Sequence, residues 1–254
     1  NITKYNASGT QDPSLSIISL DSESSSISYI VDDGDAATVH NTYGYNNTNI
    51  SVLTLYDGNG NGNFDGYVIK TDDYYGTTFQ SYDASGQVRS DSSVTALRDS
   101  SYNGTEYPVV GYLVTDTNGT TAYDASGMLD DSTNVTTLKG TETNTSYDGW
   151  LIVDDGNETA AYSSTGYNQT TYNGGMEATT LSTLENSDGS VDGYAINSSL
   201  FDVSGNRDEV DSVVQFKSYE SGVVYKVVGT LITDGNNITK YNASGTQDPS
   251  LSII

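Results

Sequence analysis

Cysteine is absent from this 254-residue chain, which excludes disulfides and thiolate metal sites. Basic residues are scarce: nine Lys and Arg stand against 34 Asp and Glu, for a net charge of -25. So few cations cannot build a polyanion-binding face, so nucleic acid is not an expected partner. Anionic membrane surfaces are disfavoured for the same reason, and cations are the natural partners of such a surface. No apolar run approaches the ~20 residues of a membrane span, so no membrane insertion is expected. Histidine occurs once, at His40. Catalysis by nucleophile and base usually draws on His or Cys, and a lone surface His offers neither arrangement. The aspartate pairs Asp32–Asp33, Asp72–Asp73, Asp130–Asp131 and Asp154–Asp155 fall mostly at one turn position. That is a hairpin signature rather than the unique carboxylate pair of a glycosidase. The chain is read as non-enzymatic.

Large aliphatics are also few. Leu, Ile, Val and Phe make 51 of 254 residues, close to the level at which high charge signals disorder. Two features argue for order instead: there are 21 tyrosines, and the apolar residues gather in short alternating runs. Acidic disordered chains are poor in aromatics. Opening on Asn1, the chain reads as an internal or processed piece.

What is present is repetition at two scales. Residues 1–18 and 237–254 are identical, at an offset of 236 residues. A long tandem array of 236-residue units, duplicated ends, or an exchanged strand linking subunits would each produce this, and the array is the leading reading. Inside the unit, an aromatic followed by a tight turn recurs as Tyr5-Asn-Ala-Ser-Gly9, Tyr43-Gly-Tyr45, Tyr82-Asp-Ala-Ser-Gly86, Tyr123-Asp-Ala-Ser-Gly127, Tyr162-Ser-Ser-Thr-Gly166, Phe201-Asp-Val-Ser-Gly205 and Tyr241-Asn-Ala-Ser-Gly245. The spacing is about 39 residues, six times per unit. The repeats are 1–42, 43–81, 82–122, 123–161, 162–200 and 201–240, with 241–254 beginning the next unit.

Each repeat holds three strand-like runs. Run A covers 14–20, 50–55, 93–97, 134–138, 178–181 and 212–216. Run B opens with a small residue and, in the first five repeats, an aromatic: Ser28-Tyr29, Gly66-Tyr67, Gly111-Tyr112, Gly149-Trp150 and Gly193-Tyr194, then Gly229-Thr230. Run C leads into the next motif aromatic. Short β-branched runs bounded by Gly, Asn and Asp are the strand-and-hairpin signature, so each repeat is a three-stranded antiparallel meander in an all-β protein. Three short strands cannot bury a core alone, so repeats must stack on their neighbours. A superhelical, solenoid-like array is favoured over the alternative, a six-bladed β-propeller.

In the tyrosine-turn motif, Asp or Asn bonds a backbone N–H two residues on and Gly takes positive φ. The motif resembles the YD repeats of large bacterial and animal surface proteins, over about five residues per repeat. A second resemblance lies in Asp57-Gly-Asn59-Gly-Asn61-Gly-Asn63-Phe-Asp65. Oxygen-bearing side chains at this spacing suit a hard cation. The spacing is similar to the calcium loops of FG-GAP propeller repeats, which implies Ca2+ held by Asp57, Asn59, Asn61 and Asp65 with the carbonyl of Asn63. The corresponding loops are degraded: Leu184 and Gly140 replace the first ligand before Asp192 and Asp148.

Asn-x-Ser/Thr occurs at Asn1, Asn6, Asn46, Asn49, Asn103, Asn118, Asn134, Asn144, Asn157, Asn168, Asn197, Asn237 and Asn242. Asn118, Asn157 and Asn237 fall at one repeat position, the B–C turn, where an N-linked glycan would be accessible. Together these features predict an extracellular or cell-surface structural filament, glycosylated and self-associating. The alternative is a calcium-dependent adhesin or carbohydrate-binding module.

Overall fold

The structure is a computed structural model that describes residues 4–6, 8–21, 27–32, 36–57, 64–74, 76–102, 106–170, 179–220 and 224–251. Among these residues there is no helix. Nineteen strands run in order: β1 Ser16–Ser19, β2 Tyr29–Asp32, β3 Ala37–His40, β4 Ile50–Tyr56, β5 Phe64–Asp73, β6 Gly76–Asp83, β7 Ser93–Arg98, β8 Val109–Asp116, β9 Gly119–Asp124, β10 Asn134–Thr137, β11 Leu151–Asp154, β12 Thr159–Tyr162, β13 Leu181–Glu185, β14 Val191–Ile196, β15 Ser199–Asp202, β16 Arg207–Asp208, β17 Ser212–Glu220, β18 Val224–Asp234 and β19 Asn237–Asn242. They form six sheets in sequential order, five of three strands and one, β13-β14-β15-β16, of four. The fold is therefore all-β, built from tandem antiparallel meanders as the patterning predicts. Each sheet runs from one repeat's A strand to the aromatic that opens the next motif.

The A–B–C ladder follows from composition. In β4 and β5 the pairs Val52↔Ile69 and Leu53↔Val68 set β-branched and aliphatic residues opposite each other, which suits the pleated surface. A bulge follows at Leu55/Tyr56, and equivalent bulges occur at Leu184/Glu185 and Phe216/Lys217. The fourth strand, β16, is the return arm of a turn. Elsewhere the same arm makes only a single bridge, as in Tyr82↔Val88, Tyr123↔Leu129, Tyr162↔Asn168 and Tyr241↔Gln247.

The chain divides into two compact units, residues 1–96 with 111–131, and 97–110 with 132–254. In the first, Leu20, Ile30, Val39, Tyr67, Ile69 and Tyr82 form one core cluster, and Leu55, Val68, Val114 and Tyr123 a second. In the second, Leu138, Ile152, Ala161, Ile196 and Phe201 form one, and Leu184, Ala195, Val213, Ile232 and Tyr241 another. The motif aromatics thus supply core that aliphatics do not.

Three alignments shift. The fifth A strand is 181–185 rather than 178–181, and Leu184, read as a lost calcium ligand, is its fully buried residue at 1% exposure. In the fourth repeat Leu151, not Trp150, pairs with the motif tyrosine, as Tyr67 does with Tyr82. The second motif begins at His40: Asn41 Oδ1 accepts the N–H groups of Tyr43 and Tyr45, and His40 bridges Asn46. The imidazole Nδ1 donates to the Gly44 carbonyl at 2.9 Å, and Nε2 lies 3.0 Å from Thr38 Oγ1.

Candidate functional site: the sheet-to-sheet junction

The motif turn closes on itself first. The Oδ1 of Asp83 accepts the N–H groups of Ser85 (2.8 Å) and Gln87 (3.0 Å). Asp124, Asp202 and Asn242 do the same for Ser126 and Met128, Ser204 and Asn206, and Ser244 and Thr246. These bonds favour the ionised form, so the carboxyls of Asp83 and Asp202 sit below the ordinary range, chiefly through the Ser85 hydroxyl and the Asn206 amide. At Asp124 burial pushes upward but is outweighed by Ser126 and the turn N–H groups.

The closed turn then docks on the A strand of the preceding sheet. Gly86 O accepts from Asp21 N (2.9 Å), Gly127 O from Tyr56 N (2.9 Å), Gly166 O from Arg98 N (2.7 Å), Gly205 O from Lys139 N (2.8 Å) and Gly245 O from Glu185 N (2.9 Å). In the last four a second bond returns, from the N–H of Leu129, Asn168, Arg207 and Gln247 to the same strand residue. Each of these four junctions is thus a one-residue parallel bridge: Tyr56↔Met128, Arg98↔Tyr167, Lys139↔Asn206 and Glu185↔Thr246. The glycine is required twice over. Its φ is about +80 to +87 at Gly86, Gly127, Gly205 and Gly245. A Cβ there would stand 2.3, 2.0, 2.2 and 1.8 Å from the carbonyl oxygens of Ser19, Thr54, Thr137 and Thr183.

The motif tyrosines Tyr123 and Tyr241 also reach the preceding sheet through their hydroxyls. Tyr123 OH donates to Asp65 Oδ2 at 2.6 Å and Tyr241 OH to Asp192 Oδ2 at 2.9 Å. Burial first, then these carboxylates, pushes both phenols well above the usual tyrosine value. Tyr67 rises to about 12, mainly through burial and then through the charges of Asp32 and Tyr56. Where the motif aromatic is Phe201 it has no hydroxyl to give, and Asp148 accepts the Gly140 N–H instead.

The expected calcium ligands divide. Asn59, Asn61 and Asn63 lie outside the described residues. Asp65 already takes Tyr123 on Oδ2 and, on Oδ1 at 3.2 Å, the Arg89 guanidinium, which also donates to the Asp65 carbonyl at 2.7 Å. Asp57 is half-buried beside the undescribed loop. Of the sequons, Asn118, Asn157 and Asn237 sit exposed at B–C hairpin turns, as their spacing predicts. Asn6, Asn46, Asn49 and Asn134 are also exposed, whereas Asn144, Asn168, Asn197 and Asn242 are half-buried, and Asn1 and Asn103 lie outside the described residues. Asn197 is occupied: its Oδ1 accepts from Thr180 and its Nδ2 donates to Tyr147 OH at 2.9 Å.

The docking strand residues escaped the sequence because they are Asp21, Tyr56, Arg98, Lys139 and Glu185. The bonds common to the junctions are backbone bonds, so their side chains are free to differ, although Arg98 adds a guanidinium bond to the Thr165 carbonyl and Glu185 accepts the Thr246 hydroxyl. The only signal was the glycine four residues after each motif aromatic. Comparison with family models, curated proteins and solved structures returned no match.

Proposed function

We propose that this chain is a structural element of an extracellular or cell-surface filament, glycosylated and performing no chemistry. The observation that carries the reading is the junction: five turn glycines each accept a strand N–H through their carbonyl, and in four of these a second bond returns. A device that joins each sheet to the one before it, indifferent to side chain, suits a chain whose task is to continue. The motif aromatics Tyr82, Tyr123, Tyr162, Phe201 and Tyr241 face inward, which favours a scaffold over a ligand-gripping ladder. The exposed asparagines at the B–C turns are the positions we assign to glycans, which would coat an acidic, aliphatic-poor surface. Electron microscopy of native material tests this: filaments with an axial repeat set by the 236-residue unit are expected, and discrete particles would refute it.

One cluster favours a second reading, a carbohydrate-binding module. Tyr102, Tyr107 and Tyr167 contact in sequence at 5.3 and 5.4 Å between ring centroids, with Arg98 5.1 Å over Tyr167. Tyr102 is 56% exposed. Aromatic faces of this kind suit sugar rings, and calorimetric titration with a panel of oligosaccharides, with and without Ca2+, tests it.

A further inference from the structure

A cavity of about 370 Å3 lies in the second unit, between the loop at 140–148 and the β15–β16 corner. Thr143 and Asn144 line it from the loop, and Ser199, Leu200 and residues 207–210 line it from the corner. The loop is braced: Thr141 and Asn144 exchange backbone bonds at 2.9 and 3.2 Å, and Asp148 Oδ1 accepts the Gly140 N–H. Asn197 Nδ2 donates to Tyr147 OH at 2.9 Å and ties the two walls together. Among the described residues these two are the only non-glycines in the left-handed region, at φ +51 and +67. We infer that this cavity binds a neutral saccharide through Arg207 and Ser199.

Two donors of the lining lack acceptors. Arg207 pairs with Phe201 where, in other turns, Val88 pairs with Tyr82 and Leu129 with Tyr123. Val88 and Leu129 pack on core clusters, so an apolar residue is what this position ordinarily takes. The Arg207 guanidinium lies 5.9 Å over the Phe201 ring, and its Nη1 is buried without a hydrogen-bond partner. It forms no ion pair among the described residues, in a chain of net charge -25. Ser199 is 5% exposed, and its hydroxyl bonds to nothing among the described residues. A buried donor without an acceptor is destabilising, and an oxygen-rich ligand in the cavity removes that cost.

The rest of the lining selects the class of ligand. Asp208 and Glu209 add two carboxylates, which repel an anion and accept from hydroxyls. Leu200 and Val210 are half-buried and offer an apolar side to the C–H face of a ring. A pyranose has oxygens to take the Arg207 and Ser199 donors and hydroxyls to give to the carboxylates. The volume falls in the range of small-molecule sites. Such a ring can come from a free saccharide or from a glycan on Asn144. Asn144-Thr-Ser is a sequon within the lining, and its Oδ1 is taken by the Ser146 N–H at 3.1 Å. The site shares no residue with the cluster at Tyr102, Tyr107 and Tyr167, and it stands without the filament reading.

Saturation-transfer NMR on the unglycosylated full chain tests the site, with glucose, galactose, mannose and N-acetylglucosamine as probes and glucuronate as the anionic counterpart. Transfer to at least one neutral sugar is expected, and little to glucuronate. Arg207→Leu, which installs the residue type found at 129, should keep or raise the denaturant midpoint while weakening binding about tenfold, and Ser199→Ala should weaken it less. Transfer to glucuronate alone, transfer to no probe, or binding unchanged in both variants overturns the site. A midpoint that falls together with binding in Arg207→Leu makes Arg207 a packing residue and overturns its role. The same measurement on chain from an N-glycosylating host separates the sources. A signal absent there and restored by Asn144→Gln supports the site with the Asn144 glycan as its occupant. A signal that persists there supports it with a free saccharide.

Discussion

Residues 4–12 and 240–248 are the same nine residues in two settings. Their turns are alike: Asn6 Oδ1 accepts Ser8 and Thr10 N–H at 3.1 and 3.0 Å, and Asn242 Oδ1 accepts Ser244 and Thr246 N–H at 3.0 and 3.1 Å. Asp12 and Asp248 each donate N–H to the Lys at 2.9 Å. Their burial is not: Tyr5 is 59% exposed and Tyr241 3%. The turn is thus a local product of Asx chemistry, and packing is supplied by a strand to pair with and a preceding sheet to dock on.

The sharpest break in this comparison is a methyl group on each glycine. Gly9→Ala places a Cβ in open space at φ +77, so only local strain of about 1 kcal/mol arises, outside any sheet. Gly245→Ala places one 1.8 Å from the Thr183 carbonyl, so the turn must leave β13. We expect no change in the denaturant midpoint for the first and a loss of about 3 kcal/mol for the second, measured by denaturant unfolding.

Next comes the hydroxyl. Tyr241→Phe removes the bond to Asp192 and is expected to cost about 1–2 kcal/mol, while Tyr5→Phe costs nothing measurable. The same hydroxyl gives a pH effect. Its folded value lies above the unfolded value near 10, so its contribution is complete below about pH 10 and declines as pH rises further. Alkaline unfolding, followed by circular dichroism, should therefore begin above about pH 10, and Tyr123→Phe with Tyr241→Phe should flatten it.

The same comparison separates what the sequence carries from what it hides. Alternation in runs such as 50–55 and 134–138 marked the A strands because their apolar faces are buried. The fifth failed because two leucines, Leu181 and Leu184, compete, and burial selects Leu184. His40 was missed as a motif residue because Tyr43 and Tyr45 beside it are better aromatics, yet hydrogen bonding, not aromaticity, defines the turn. The bond from Tyr123 to Asp65 was hidden because an isolated carboxylate gives no hint of a partner 58 residues away. Docking through backbone leaves its trace in the turn glycine and not in the strand residue it meets.

The smallest effect distinguishes turns by their first residue. Asp83, Asp124 and Asp202 are carboxylates held below their ordinary range, whereas Asn242 offers the same oxygen without a charge. A depressed folded value means stability that is present above about pH 4 and lost as pH falls through the folded value. Protonation leaves the oxygen in place but weakens it as an acceptor, and these side chains are largely exposed, so each site contributes little. The effect should appear only in sum. Replacing all three by Asn is expected to leave the midpoint at pH 7 nearly unchanged and to move the acid transition to lower pH. Asp83→Ala, which removes the acceptor itself, should destabilise at both pH values. If the triple Asn variant unfolds in acid at the same pH as the parent, the turns do not titrate as a set. Acid sensitivity would then belong to carboxylates outside them.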